Sequence, residues 1–128
     1  MICGAAVYRW KRGAPEFLIL KTAKGWGFAS GKSFAKEKAH ETAERILFDE
    51  LGISRFRLLH NSKKIISGTA YFVAETRKEP NLSKQYKGYM WLRKASAAKK
   101  IMRGTKRILS HAAAYAKKPR FWQTILSW

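Results

Sequence analysis

Negative charge is the scarcest property of this sequence. Eight Asp and Glu stand against 27 Lys and Arg in 128 residues, a net charge of +19. A surface so one-sided repels itself unless a polyanion neutralises it, and nucleic acid is the usual polyanion. A basic face kept only for solubility does not need this magnitude. Cysteine is almost absent too. Cys3 stands alone, which excludes an internal disulfide and suits a reducing compartment. Its apolar neighbours point to a small core residue rather than a reactive thiol. The three histidines, His40, His60 and His111, have no metal-ligand spacing with Cys3 or with one another, so no zinc site is expected. No lipidation motif or bilayer-length apolar run is present, so no membrane partner is expected. The first strand begins at about Ile2, which leaves no room for a leader, and a cytoplasmic location is expected.

What is there suffices for one domain with a real core. Ile2 to Lys11 and Glu16 to Lys21 read as strands around a turn at Arg12 to Pro15. Residues 21–30 form a Gly- and Lys-rich loop with two readings, a backbone cradle for phosphate or a plain connector. A helix is predicted from about Lys36 to Leu51, ending at Gly52 as a left-handed cap. Ala39, Ala43, Ile46, Leu47 and Leu51 should face the core. Ser54 to Leu59 and Ile65 to Glu75 are expected as strands, with Gly68 a candidate bulge. Tyr86 to Arg93 is a further strand. Ala95 to Met102 and Thr105 to Lys118 are helices parted near Gly104.

The predicted helix carries Glu37, Glu41, Glu44, Asp49 and Glu50, five of the eight acids in the chain. With the loop before it, the stretch resembles the Nudix hydrolase signature, G-x5-E-x7-R-E-U-x-E-E-x-G-U, where U is a bulky aliphatic. Gly31, Glu37, Arg45, Asp49, Glu50, Gly52 and Ile53 match without a gap. The preceding Trp26-Gly27-Phe28 is similar to the lead-in of the dinucleoside tetraphosphate hydrolase branch. The resemblance implies an α/β fold, a Nudix α/β/α sandwich with a mixed sheet. It also implies acids at i, i+3 and i+4 that hold magnesium against a polyphosphate. Here those positions are Ile46, Asp49 and Glu50. An isoleucine neither ligates a hard cation nor takes a proton. Leu82 to Leu92 resembles a second family stretch whose acidic pair has become Lys84 and Gln85. Two parts of the expected catalytic site have therefore lost carboxylates. The helix acids have a structural explanation as well, a Glu41–Arg45–Asp49 ladder with Glu37 beside Arg45.

From Pro80 to Trp128 there are twelve Lys and Arg and no acid. Arg93, Lys94, Lys99, Lys100, Arg103, Lys106 and Arg107 fall within fifteen positions, and Lys117, Lys118 and Arg120 follow. On helices they cannot all share a side, so a partner that surrounds the protein is expected, with phosphate contacts that position without reading sequence. No RNA-recognition submotif is present. Residues 1–118 are expected to form the Nudix-like domain. Residues 119–128 are an aromatic tail, with Phe121, Trp122 and Trp128 as a partner anchor or as side chains folded back on the domain.

The expectation is a catalytically degenerate Nudix protein that binds rRNA beside ribosomal proteins, as a ribosomal subunit or a dormancy-type factor. It needs no cofactor, and no homo-oligomer is expected. A nucleotide in the relic pocket is compatible with it. The alternative is a magnesium-dependent hydrolase of dinucleoside polyphosphates or capped RNA, with Asp49 and Glu50 on the metal and Glu37 and Arg45 in support.

Overall fold

Alternation along the first strand decides the architecture. In β1 (Ile2–Lys11) Ala5 and Val7 face one way, Ala6 and Tyr8 the other, and all four are buried. A strand buried on both faces needs a layer on each side. The computed structural model describes residues 1–117 and supplies both layers. Strands β2 (Ala14–Thr22), β3 (Gly25–Gly27), β4 (Ala29–Lys32), β5 (Arg57–Ile66), β6 (Thr69–Glu75) and β7 (Gly88–Leu92) complete a seven-stranded mixed sheet. Helix α1 (Ala39–Arg45), continued by a π-helical turn at Ile46–Glu50, covers one face. Helices α2 (Lys94–Lys100) and α3 (Lys106–Tyr115), joined through a 3-10 turn at Arg103–Thr105, cover the other.

The same alternation recurs in β2 and β6. Leu18, Leu20, Phe72 and Ala74 join Ile46, Leu47 and Leu51 under α1. Phe17, Ile19, Tyr71 and Val73 join Ala97, Ile108 and Leu109 under α2 and α3. The sheet order is β3-β2-β1-β6-β5, with β1 and β6 parallel and β7 on β2.

β1 and β2 pair only through Tyr8–Lys11 and Ala14–Phe17, around a two-residue turn in which Arg12 and Gly13 both have positive φ. Farther along, β3 pairs with β2 and β4 with β1. The stretch expected as a loop over 21–30 is thus largely strand, and the pairing commits part of its backbone to the sheet. This correction weakens the phosphate-cradle reading. Gly68 also differs from expectation. It sits with Ser67 in the positive-φ turn between β5 and β6, and the bulge lies in β5, between Leu59 and Lys64. The predicted α2 and α3 are present, with Leu109 and Ala112 buried. The predicted aromatic tail, with Lys118, Arg120, Phe121, Trp122 and Trp128, lies outside the described residues.

Candidate active site

The helix of the signature begins later than its sequence suggests. Lys36 has φ +70 and Lys38 is extended, so the first helical residue is Ala39 and Glu37 stands in the loop before it. Glu41 turns back to accept the Lys38 backbone N–H at 2.8 Å. This half of a capping box satisfies a donor that the first turn leaves open. The expected Glu41–Arg45–Asp49 ladder therefore does not form.

Arg45 instead gathers the loop. Its Nε donates to Glu37 Oε2 at 2.7 Å, and its Nη2 donates to the Lys32 carbonyl at 2.8 Å. Its guanidinium lies 3.6 Å from the centre of the exposed Phe34 ring. Glu37 also accepts from the Phe34 backbone N–H at 2.7 Å and the Thr42 hydroxyl at 3.0 Å. The Arg45 bond, followed by the Phe34 N–H, lowers the Glu37 carboxyl to about 2. These two signature residues brace the loop against the helix.

The carboxylates a cation would need are dispersed. Ile46 has no exposed surface and packs in the core with Ala43 and Leu47, as the apolar stripe predicts. The π-helical turn closes through Leu51 N–H to the Ile46 carbonyl at 3.0 Å. Asp49 is exposed on that turn. Glu50 Oε1 accepts from Gln85 Nε2 at 2.5 Å and from the Tyr86 hydroxyl at 3.2 Å. Its Oε2 lies 3.9 Å from Arg45 Nη1. Burial, then the charge of Glu50, pushes the Tyr86 phenol well above its ordinary value, so it stays a donor. Gln85 stands where the resemblance places an acid, and its amide donates to a carboxylate that a second acid would repel. No group of three or more His, Cys, Asp or Glu able to hold a metal occurs among the described residues. The donor set does not fit a divalent cation, since one carboxylate is already satisfied by protein donors and the third position is apolar.

Gly31 explains how β4 closes on this site. A Cβ there would stand 3.3 Å from Glu50 Oε2, tighter than most side chains allow, and 3.6 Å from Ile46 Cδ1, an ordinary contact. Gly52 has φ +62, and a Cβ would meet the Asn81 carbonyl oxygen at 2.1 Å. Here the left-handed cap is also a close approach of two loops.

A cleft of about 430 Å³ is lined among others by Lys24, Phe28, Tyr71 and Met102 and by Gln85 and Tyr86, the two donors to Glu50. Tyr86 as the partner of Glu50 was missed in the sequence, although it directly follows Gln85 in the second resembling stretch. Glu79 was missed as well. It binds Arg9 at 2.6 Å, Trp91 at 3.0 Å and Tyr89 at 3.1 Å.

Among the described residues the predicted basic side chains have different surroundings. Arg93, Lys94, Lys99, Arg103 and Lys117 are exposed. Arg93 lies with Arg9, Lys11 and Arg12. Lys100 lies 5.0 Å from the centre of the Trp26 ring, and Lys106 and Arg107 line a concavity with Lys64. Among the described residues the salt bridges join arginines to Glu16, Glu37, Glu50, Glu75 and Glu79, and none involves a lysine.

No family model matches the sequence, and no curated protein matches it. Solved structures do. The chain is similar to an Ap4A hydrolase of C. elegans in a binary complex, at 19% identity and TM-score 0.75, covering 89% of this chain and 95% of that one. It is similar to a NUDIX hydrolase of Listeria monocytogenes at 18% identity and TM-score 0.72, over 89% and 92% of the two chains. It is also similar to the dihydroneopterin triphosphate pyrophosphohydrolase of E. coli at 13% identity and TM-score 0.65, over 89% and 96%. The mixed sheet, its two helical layers and the loop-helix-loop that carries Gly31, Glu37, Arg45, Asp49 and Glu50 thus belong to a protein with the Nudix fold.

Proposed function

We propose that this protein is a catalytically silent member of its fold that binds RNA and works on the ribosome, as a structural subunit or a dormancy-type factor. The observation that carries this reading is the state of the signature carboxylates. Ile46 is sealed in the core, and Glu50 is held by Gln85, Tyr86 and Arg45. Both features oppose a tightly held polyphosphate-bound cation. The charge supports the other half. The described lysines have no acidic partner among the described residues, and the chain carries +19. Cations distributed over several surfaces suit burial in a phosphate-rich assembly better than docking on one small ligand. rRNA is the main partner, ribosomal proteins are neighbours, and the location is the ribosome-bearing cytoplasm. A nucleotide can occupy the cleft as a structural ligand.

One observation favours a second reading. The cleft lined by Gln85 and Tyr86 is large enough for a nucleotide and has aromatic walls. A hydrolase of dinucleoside polyphosphates or capped RNA would have to free Glu50 from Gln85 and use it with Asp49. Sedimentation of the purified protein with ribosomes separates the readings. The first expects cosedimentation that falls steeply as salt rises and is unchanged by Glu50→Gln. Absence from the ribosomal pellet at low salt would refute it.

A further inference from the structure

The outer edge of the sheet carries a construction that the signature does not account for. β5 ends the strand order, so one side of it is unpaired among the described residues. Between Leu59 and Lys64 it advances five residues while β6 moves two, from Val73 to Tyr71. The extra residues form a bulge that is pinned from inside. Ser62 is fully buried. Its hydroxyl donates to the Leu59 carbonyl at 2.5 Å and accepts the Val73 N–H at 2.8 Å. From α3, His111 Nε2 donates to the Ser62 carbonyl at 2.5 Å, and the Tyr115 hydroxyl donates to the Asn61 carbonyl at 3.2 Å. A bulge fixed by four such bonds positions its side chains rather than merely interrupting the ladder.

Cations occupy both flanks of that bulge. On the α1 side, a concavity of about 370 Å³ is lined by Lys38, His40, His60 and Lys63, with the two imidazole rings 5.1 Å apart. On the α3 side, one of about 380 Å³ is lined by Lys64, Lys106, Arg107 and the Ser110 hydroxyl. No carboxylate lines either one, and these lysines and Arg107 make no salt bridge among the described residues. The concavity around Arg9, Arg12 and Arg93 differs, because Glu16 lies within it and bonds Arg9 at 2.8 Å. Lysines on an edge strand also deter strand addition. That role requires neither concave surroundings nor an internally pinned bulge.

We propose that the bulged outer edge of β5 is the RNA-backbone docking surface, with phosphates seated in the concavities on its two sides. The proposal rests on the RNA-binding reading above and adds where the backbone lies. An anion with one phosphate fills only one concavity. A phosphodiester chain crossing the edge fills both, and lysines there contact phosphate without reading bases.

The test measures the salt dependence of binding to a short fluorescein-labelled RNA duplex, long enough to cross the β5 edge and too short to surround the protein. Lys63→Gln with Lys64→Gln is compared with Lys94→Gln plus Lys99→Gln, an exposed pair on or beside α2 with the same charge change. Each lost phosphate contact lowers the slope of log affinity against log salt by about 1. The β5 pair is expected to lower it by about 2, and the α2 pair by less than half as much. Ser62→Ala, which unpins the bulge and leaves the charge intact, should also lower affinity. Equal slopes for the two pairs, or a larger loss for the α2 pair, would overturn the placement and leave RNA binding standing. Failure of the unaltered protein to bind the duplex at low salt would overturn the underlying reading. Displacement of RNA by polyglutamate at matched charge would assign the edge to an acidic protein instead.

Discussion

Replacing Ile46 by glutamate puts back the side chain that the Nudix signature carries, at the point where this chain departs from it most. Ile46 has no exposed surface, and its Cδ1 lies near the same Gly31 position that Glu50 Oε2 approaches. The substitution gives up about 1.5–3 kcal/mol of apolar burial. It also places a carboxyl beside an existing carboxylate, out of water. A buried charge without a partner costs about 3–5 kcal/mol, or the group stays protonated at part of that cost. With the carboxyl protonated, the net loss should be about 3–5 kcal/mol, a large share of the 5–15 kcal/mol typical of a domain. For a chain of this length that lowers Tm by about 10–20 °C. Circular dichroism melts with and without magnesium measure it, with Ile46→Val as a control expected to cost about 0.5–1.5 kcal/mol. Magnesium should not restore the lost stability. A Tm within about 3 °C of the unaltered protein, rising further with magnesium, would show position 46 to be open to a cation and refute the reasoning.

Gly52→Ala should destabilise strongly, because its Cβ would meet the Asn81 oxygen and its backbone is left-handed. Strain alone accounts for about 1–3 kcal/mol, readable by urea unfolding. Glu37 contributes stability that is fully present above its ordinary value of 4.5 and is lost as pH falls through about 2. Glu37→Gln should flatten the decline of Tm over that window, and an unchanged acid profile would refute the Arg45 bracket. The Tyr8 phenol is pushed up to about 12, chiefly by burial and then by Glu75. Its ultraviolet titration should therefore lag behind that of an exposed tyrosine, and a midpoint near 10 would contradict its buried position.

The fold was legible where one residue type determines its own environment. The resemblance of the loop-helix-loop to the Nudix signature implied the α/β/α sandwich that the folded chain shows, and Ile46 joined the apolar stripe its spacing suggested. The segment over 25–32 was not legible, because its glycines resemble a loop. Its strand character comes from β1 and β2, which splay and leave edges to be paired. The site was half legible. The departures at Ile46 and Gln85 are visible in the letters, but the bond from Gln85 to Glu50 spans 35 positions and exists only in the folded chain. The charge run after Pro80 gave the sign of the partner and not its place. Lys106 and Arg107 become informative only where α3 brings them beside Lys64. The bulge that displays Lys63 and Lys64 depends on His111, 49 residues away from Ser62.

The most direct measurement is phosphate release from a dinucleoside tetraphosphate by the purified protein in magnesium, beside Glu50→Gln. The account predicts the same background rate for both, because Glu50 is occupied by Gln85 and Tyr86. Brisk turnover that disappears with Glu50→Gln would contradict it.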